Sequence, residues 1–401
     1  MPTRTKRADV SDKYISMHQK LSGFSFANLG IFTGLASGII GAVYSLVLLD
    51  ILKNPALVGV YVSAYFAFAM AISLFAGEIF KRISKARLFY ICLLAAAIIY
   101  AMMGFSIRPA TFITLDFTGG IFQVLIGLLI PLFMADFSRE VGMEKLNARY
   151  WFWINVGALI APLLSLTVAD YFGIRAPFFV VAVIYAIGLL VFSSMRIIQE
   201  DKKAAVIQAR RTLRYLWRAV LVFFRRKSFA RAYAVLFGNY AMVALRGIYV
   251  PIIVMENGFS KETLGLVLTL GIIPYVILSQ PMGWLAKKYG KKLWLSIGFF
   301  SFAALAFWAS VASGWTVLLI FVLWQIPGAF IEPLRDLLFF DAAKKEERAR
   351  FMGIFRTASA IARIVIPMVA AIVIFAFGAT SSVWIVAGIM AAATGLLLLK
   401  K

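Results

Sequence analysis

Long apolar runs separated by short polar connections make up most of the chain. They lie at roughly residues 24–48, 56–76, 88–107, 111–135, 150–170 and 177–195. After a polar stretch they resume at roughly 232–252, 263–283, 293–312, 315–338, 352–377 and 382–399. Each has close to the ~20 residues that a helix needs to cross the hydrocarbon of a bilayer. The pattern predicts an all-α polytopic membrane protein with 12 spans, arranged as six, a linker and six more. Residues 1–195 form the expected first bundle with its polar tail, 196–231 a basic linker, and 232–401 the second bundle.

Composition agrees with the pattern. Hydrophobic residues are 62% of the chain and charged residues 15%, against about 45–50% and 25% in an average soluble domain. A single core stops growing near ~250–300 residues, so the bilayer is the natural sink for this excess. The formal charge of +23 would suit nucleic acid, but the basic clusters fall between apolar runs, where the positive-inside rule accounts for them. No nucleic-acid partner is expected. Placing both termini and the linker in the cytoplasm leaves only Lys53, Arg108, Arg175 and Lys261 in the outer connections. This sets the expected topology in the cytoplasmic membrane. The polar N-terminus is too long to read as a cleaved signal peptide.

Within the linker, Arg210, Arg211, Arg214, Arg218, Arg225 and Arg226 interleave with Leu213, Leu216, Trp217, Val220 and Leu221 at near-helical spacing. That pattern predicts an amphipathic helix on the anionic inner leaflet, or, for the first part, a solvated basic segment. Membrane lipid is thus an expected partner. The chain has one cysteine, Cys92, in an apolar run, and one histidine, His18, in the polar tail. Disulfide frameworks, thiolate metal sites and histidine-based catalysis have no residues to build them. No cofactor and no metal are expected.

The chain repeats. Gly77-Glu78-Ile79-Phe80-Lys81-Arg82-Ile83-Ser84-Lys85 follows the second span, and Gly283-Trp284-Leu285-Ala286-Lys287-Lys288-Tyr289-Gly290-Lys291 follows the eighth, 206 residues later. At the same offset Val58-Gly59 matches Leu264-Gly265, and Asp50 matches Glu256. Two like-oriented halves of six spans form a parallel repeat about an axis normal to the membrane, with the substrate site expected near the midplane.

The connection after spans two and eight resembles the signature loop of the major facilitator superfamily, which runs glycine, aspartate, basic residue, glycine, basic residues. Gly77 and Gly283 stand at the first glycine, Arg82 and Lys288 at the basic position, and Gly290 at the second glycine, where the first half has Ser84. Lys81 and Lys287 replace the aspartate, which in that family helps lock one conformation. Gly127, Pro131, Asp136 and Arg149 lead into Asn155-Val156-Gly157-Ala158-Leu159-Ile160-Ala161-Pro162 and then Phe172-Gly173-Ile174-Arg175-Ala176-Pro177-Phe178, an order similar to the family's fourth to sixth helices. Asn155 to Leu159 is similar to part of the proton-coupled oligopeptide transporter signature, yet the first span lacks that subfamily's Glu-x-x-Glu-Arg motif. Gly157 to Leu166 is similar to the fifth-helix motif of drug–proton antiporters, with Ala161-Pro162 in place of Gly-Pro. The resemblance implies two six-helix bundles related by a pseudo-two-fold axis, gating loops at Gly77, Arg82, Gly283, Lys288 and Gly290, and alternating access coupled to protons. One chain already contains both halves of a carrier, so a monomer is expected.

An ionisable side chain at a helix centre in a bilayer costs at least ~2.5–3.5 kcal/mol, so each is worth naming. Arg246 lies in span seven with Asn239 and Tyr240 two turns below. It reads as a cavity residue for an anionic substrate group, since Arg contacts carboxylate or phosphate bidentately, or as an arginine snorkelling outward. Arg363 sits near the middle of span eleven, where it should face a cavity or a carboxylate, Glu332 being the candidate. Glu332, Arg335, Asp336 and Arg356 also read as a structural charge cluster joining spans ten and eleven. Asp116 in span four, followed by Thr118, reads as a desolvated proton-coupling carboxylate or as an exposed acid at the helix start, and Glu332 is the second candidate for coupling. Asn28, Thr33, Tyr65, Gln123, Asn155, Gln280 and Gln325 are candidate cavity-lining residues, with Trp151, Trp153 and Trp324 able to stack on a substrate. Gly34, Gly38 and Gly41 are spaced for close helix packing.

The chain has no Gly-x-x-x-x-Gly-Lys-[Ser/Thr] loop, so an ion or substrate gradient must supply the energy. The reading is a secondary active transporter of a small organic molecule, with the interior arginines pointing to an anion. A multidrug or amphipathic-compound exporter is the alternative, and a non-transporting sensor with the carrier fold a further one. An enzyme would need a clustered catalytic set that the chain lacks.

Overall fold

A computed structural model describes residues 26–141, 143–195, 213–279 and 281–399. Over these residues the chain is helical apart from its connections and one 3-10 turn at Thr380–Ser382, with no strand. The first half comprises α1 (Gly30–Leu52), α2 (Pro55–Arg82), α3 (Lys85–Phe105), α4 (Pro109–Val141), α5 (Met143–Phe172) and α6 (Ala176–Ser194). Then follow α7 (Leu213–Arg225), α8 (Lys227–Glu256), α9 (Lys261–Ser279), α10 (Met282–Tyr289), α11 (Lys291–Val311), α12 (Trp315–Leu323), α13 (Gln325–Ala342), α14 (Lys345–Phe377) and α15 (Val383–Leu399).

Among the described residues, 11 helical segments are long and apolar enough to cross a membrane, α12 and α13 together forming one of them, Trp315–Ala342. The chain is a multi-pass membrane protein. The expected eighth span, 263–283, falls on α9 and the start of α10, and Gln280 between them lies outside the described residues. His18 and residues 196–212 of the linker lie outside them too. Prolines stand inside α4, α5, α8, α9, α13 and α14. Membrane helices tolerate them because neighbouring helices and side chains satisfy the freed carbonyls.

The chain divides into two compact units, Met1–Gly41 with Phe68–Ile207, and Ala42–Ala67 with Gln208–Lys401. The end of α1 and the start of α2 therefore group with the second half of the sequence.

In the first unit, α1 and α5 approach at small residues. A Cβ on Gly157 would come 2.6 Å from the Leu35 nitrogen and 2.7 Å from the Ile31 carbonyl, and one on Gly38 2.5 Å from the Ala161 Cβ. Gly34 is equally confined against the backbone of Ile154. Gly41 differs from the expectation, with open space where its Cβ would be. Ser165 Oγ donates to the Ile39 carbonyl at 2.9 Å across the same pair. Phe26, Phe89, Phe133 and Phe192 form a second packing centre, with ring centroids as close as 4.8 Å.

In the second unit, one core gathers Phe302, Phe321, Trp324 and Trp384. Another fastens one end of α8, α13 and α14 through Phe229, Phe339, Phe351 and Phe355, with Phe339 and Phe355 stacked at 4.7 Å. Each such aromatic pair adds ~0.5–1.5 kcal/mol beyond the area it buries. Helix α7 docks here: Ala219 and Phe223 are buried in this core, while Leu221, Val222 and Phe224 remain exposed. The second part of the linker is thus an amphipathic helix with one face packed on protein. At its end Arg226 pairs with Glu347 at 2.8 Å and lies over Phe229 at 5.3 Å. The Arg226 guanidinium holds the Glu347 carboxyl below its ordinary range.

Candidate functional site

Three helices of the second unit bring its interior charges together. On α8, Asn239 and Arg246 are seven residues apart, two turns along one face, with Tyr240 beside Asn239. On α13, Glu332, Arg335 and Asp336 share a face at three- and four-residue spacing. On α14, Arg356 and Arg363 are again two turns apart. The aromatic core at Phe229, Phe339 and Phe351 sets the register, so these charges meet beyond it. At ~1.5 Å rise per residue, Arg363 lies about 18 Å into the span Phe351–Phe377, close to its middle.

Arg335 is the hub. Its Nη1 donates to Asn239 Oδ1, its Nη2 lies 3.4 Å from the Tyr240 hydroxyl, and its guanidinium sits 4.7 Å from the Tyr240 ring centroid. Glu332 and Asp336 each approach it at 3.8 Å. Asp336 also accepts from Arg356 at 3.0 Å, and Arg356 is half-exposed. Arg363 lies against the same Tyr240 ring at 5.2 Å and against Phe66 of α2 at 5.5 Å. Among the described residues it has no ion pair. Arg246 is partly buried, and its Nε has no hydrogen-bond partner among the described residues. Asn239 Nδ2 and Arg335 Nε are likewise buried without a hydrogen bond. A buried polar group left unpaired costs ~1–3 kcal/mol. Unmatched donors beside the guanidiniums of Arg335 and Arg363, which share the Tyr240 ring, form a constellation able to receive acceptor oxygens.

The structure thus brings together Arg363, Asn239, Tyr240 and Glu332, as named from the sequence, and adds Arg335 and Phe66, while Arg246 stands two turns along α8 from Asn239. Arg335 was legible as an interior charge, but its ring contact with Tyr240 has no sequence signal. Gln325, on α13, faces Gly271 of α9. Trp324 is fully buried among Phe302, Phe321 and Trp384 and belongs to the core. Gln280 lies outside the described residues.

In the first unit, Gln123 Nε2 donates to the hydroxyls of Tyr100 and Tyr185 at 2.8 and 2.7 Å, and the two rings stack at 5.6 Å. This ties α3, α4 and α6. Asn28 Oδ1 accepts from Arg149 Nε at 2.7 Å. Asn155 is exposed, as are Trp151 and Arg82. Asp116 is buried at 6% exposure, which fits the desolvated reading rather than the exposed one. Of the loop residues, Gly77 falls within α2 and Gly283 within α10. Lys288 is exposed, 5.2 Å from the Trp284 ring. Gly290 joins α10 to α11 at φ 95°, ψ 137°, a conformation that only glycine adopts without strain.

No curated protein sequence matches the chain. Among solved structures, a mutant of the nucleoside transporter NupG superposes with a TM-score of 0.72 at 14% identity, covering 95% of this chain and 98% of that one. A D-xylose–proton symporter gives 0.67 at 16% identity, covering 96% and 97%. The POT family transporter PepTSo gives 0.70 at 12% identity, covering 95% and 96%. At such identities the likeness is one of fold. The Major Facilitator Superfamily sequence model matches residues 26–255 and 232–401, and with the helical repeat and these neighbours it shows that the chain belongs to the Major Facilitator Superfamily.

Proposed function

We propose that the protein is a secondary active transporter that carries a small anionic organic molecule across the cytoplasmic membrane by alternating access, coupled to protons. The observation that carries this reading is Arg363, a guanidinium near the middle of a span with ring contacts and, among the described residues, no ion pair. Isolated charge at that depth is expensive, and an anionic substrate group would neutralise it. Arg246 and Arg335, with the open donors of Asn239, extend the same surface. Asp116, buried in α4, is the first candidate for proton coupling, and Glu332, beside Arg335, the second.

The test is uptake into proteoliposomes under an imposed pH gradient, with carboxylates and phosphate esters compared against lipophilic cations. Anion uptake that is driven by the gradient and lost in Arg363→Ala is expected. Cation uptake that survives Arg363→Ala would replace this reading with a multidrug exporter. Asp116→Asn should retain substrate exchange and lose the response to the gradient, and a response that persists removes Asp116 from coupling.

A further inference from the structure

We infer that the site at Arg363 takes an aromatic carboxylate, its carboxylate on the guanidinium and its ring against Phe66 and Tyr65, rather than a polyhydroxylated or purely aliphatic anion. The inference rests on the anionic-substrate reading above and adds the chemistry of the rest of the molecule.

Arg363 belongs to a continuous aromatic wall. Its guanidinium lies 5.2 Å from the Tyr240 ring centroid and 5.5 Å from that of Phe66. Phe66 meets the Tyr65 ring edge-on at 5.7 Å, and Tyr65 meets Tyr44 of α1 at 6.2 Å. All four rings belong to the second unit, because residues 42–67 group with it. Each of the four is only partly buried, so ring surface remains uncovered.

Helix packing places Arg363 in this wall. Gly59 of α2 is pressed against Pro367 and Ala371 of α14. Phe66 is two turns further along the same face of α2, and Arg363 is one turn before Pro367 on α14. Two helices that touch at Gly59 and Pro367 therefore also bring Phe66 onto Arg363.

The small polar side chains beside this wall are turned back to the backbone. Ser63 Oγ donates to the Gly59 carbonyl at 3.0 Å, and Ser359 Oγ to the Arg356 carbonyl at 2.9 Å. Ile366 and Pro367 stand one turn beyond Arg363. Asn239, Glu332 and Asp336 gather on Arg335 instead. Arg363 itself makes no hydrogen bond and no ion pair among the described residues, so its donor edge is uncommitted while its flanks are apolar. A sugar phosphate or a polyhydroxy acid would press hydroxyls against rings and aliphatic carbons without partners, which is unfavourable. An aromatic carboxylate presents both oxygens to the guanidinium. Its ring can then lie edge-to-face or offset on Phe66 and Tyr65, the arrangements that ring quadrupoles favour.

The test uses ligand pairs of equal charge and similar shape: benzoate against cyclohexanecarboxylate, and 3-phenylpropionate against 3-cyclohexylpropionate, with gluconate as the polyhydroxylated anion. Dissociation constants are measured by thermal shift on the full-length purified protein, since a ligand bound to the folded state raises its apparent stability by mass action. The aryl member of at least one pair should bind about five-fold or more tightly than its cyclohexyl partner, as two ring contacts would give. Greasiness alone would favour the cyclohexyl member. Phe66→Leu and Tyr65→Leu should each bring that ratio toward one while both carboxylates still bind, and Arg363→Gln should weaken both members alike. The ratio is read on whichever variant folds. Equal binding within both pairs, or gluconate binding most tightly, overturns the aromatic inference and leaves the anionic reading standing. A ratio unchanged in both leucine variants also overturns it. If no anion stabilises the protein, both readings fall together.

Discussion

Placing a methyl group on Gly59 should open a helix contact and change transport without touching the charged cluster. Gly59 is buried on α2, pressed against α8 and α14. A Cβ there would collide with the Tyr249 hydroxyl, lie 2.5 Å from the Pro367 carbonyl oxygen and 3.3 Å from the Ala371 Cβ. Neither near atom gives way easily. Tyr249 is fully buried, and the Pro367 oxygen is backbone inside a helix. The helices must separate by several tenths of an ångström, and overpacking of this kind costs ~1–3 kcal/mol. If this contact forms and breaks in the transport cycle, that cost shifts its equilibrium by about five- to 150-fold, at 1.4 kcal/mol per factor of ten. Ser63, one turn further along α2 and buried, donates to the Gly59 carbonyl at 3.0 Å and reports on the contact. A cysteine at position 63 should react slowly with a hydrophilic maleimide in the parent and at least five times faster beside Gly59→Ala. The chain's own Cys92 is buried and adds little background. An unchanged labelling rate, with normal transport, would refute the argument that this contact is tight and mobile.

Three further outcomes follow from the packing. Gln123→Leu removes the amide donor shared by the hydroxyls of Tyr100 and Tyr185 and should destabilise the protein by about 2–4 kcal/mol, as two lost hydrogen bonds with buried partners, while substrate selectivity stays unchanged in transport assays. Trp324→Ala should cost about 3–5 kcal/mol, the range for emptying a large aromatic site, seen as a lower thermal midpoint; a selective loss of substrate affinity at full stability would instead place Trp324 in the site. The Arg226–Glu347 pair holds the Glu347 carboxyl below its usual range, so its contribution is complete above the unfolded-state value and is lost as pH falls through the lowered one. Protease cleavage at α7 should therefore stay slow from neutral pH down to about pH 5 and rise only under more acidic conditions, and Glu347→Gln should abolish that rise by raising cleavage at every pH.

Much of this was legible along the chain because a bilayer imposes a one-dimensional rule. Each span must be long and apolar enough to cross, and each ionisable residue within it is conspicuous, which is why Arg246, Arg363, Asp116 and Glu332 could be picked out as interior charges. The 206-residue offset between Gly77 and Gly283 likewise exposed the repeat, because equivalent turns need equivalent residues. Uncharged polar residues were far less legible. Gln123, Asn28 and Gln325 carry the same amide chemistry, yet one clasps two phenols, one accepts from an arginine and one lies beside a glycine of a neighbouring helix. A tryptophan reads alike in the sequence whether it packs in a core, as Trp324 does, or lies exposed, as Trp151 does.

What the sequence determined by itself was where long apolar segments fall, the helical repeat, and which charges had to be placed inside. These depend on composition and period, which local windows contain in full. The tertiary structure decided which charges meet. Arg335 and Arg363 are 28 residues apart on different helices, and the aromatic core at Phe339 and Phe355 packs those helices together beside Tyr240. The structure also assigned the Ala42–Ala67 hairpin to the second unit, through close packing at Gly59. Contacts of that kind depend on shape and distance between remote segments, and no span carries them alone.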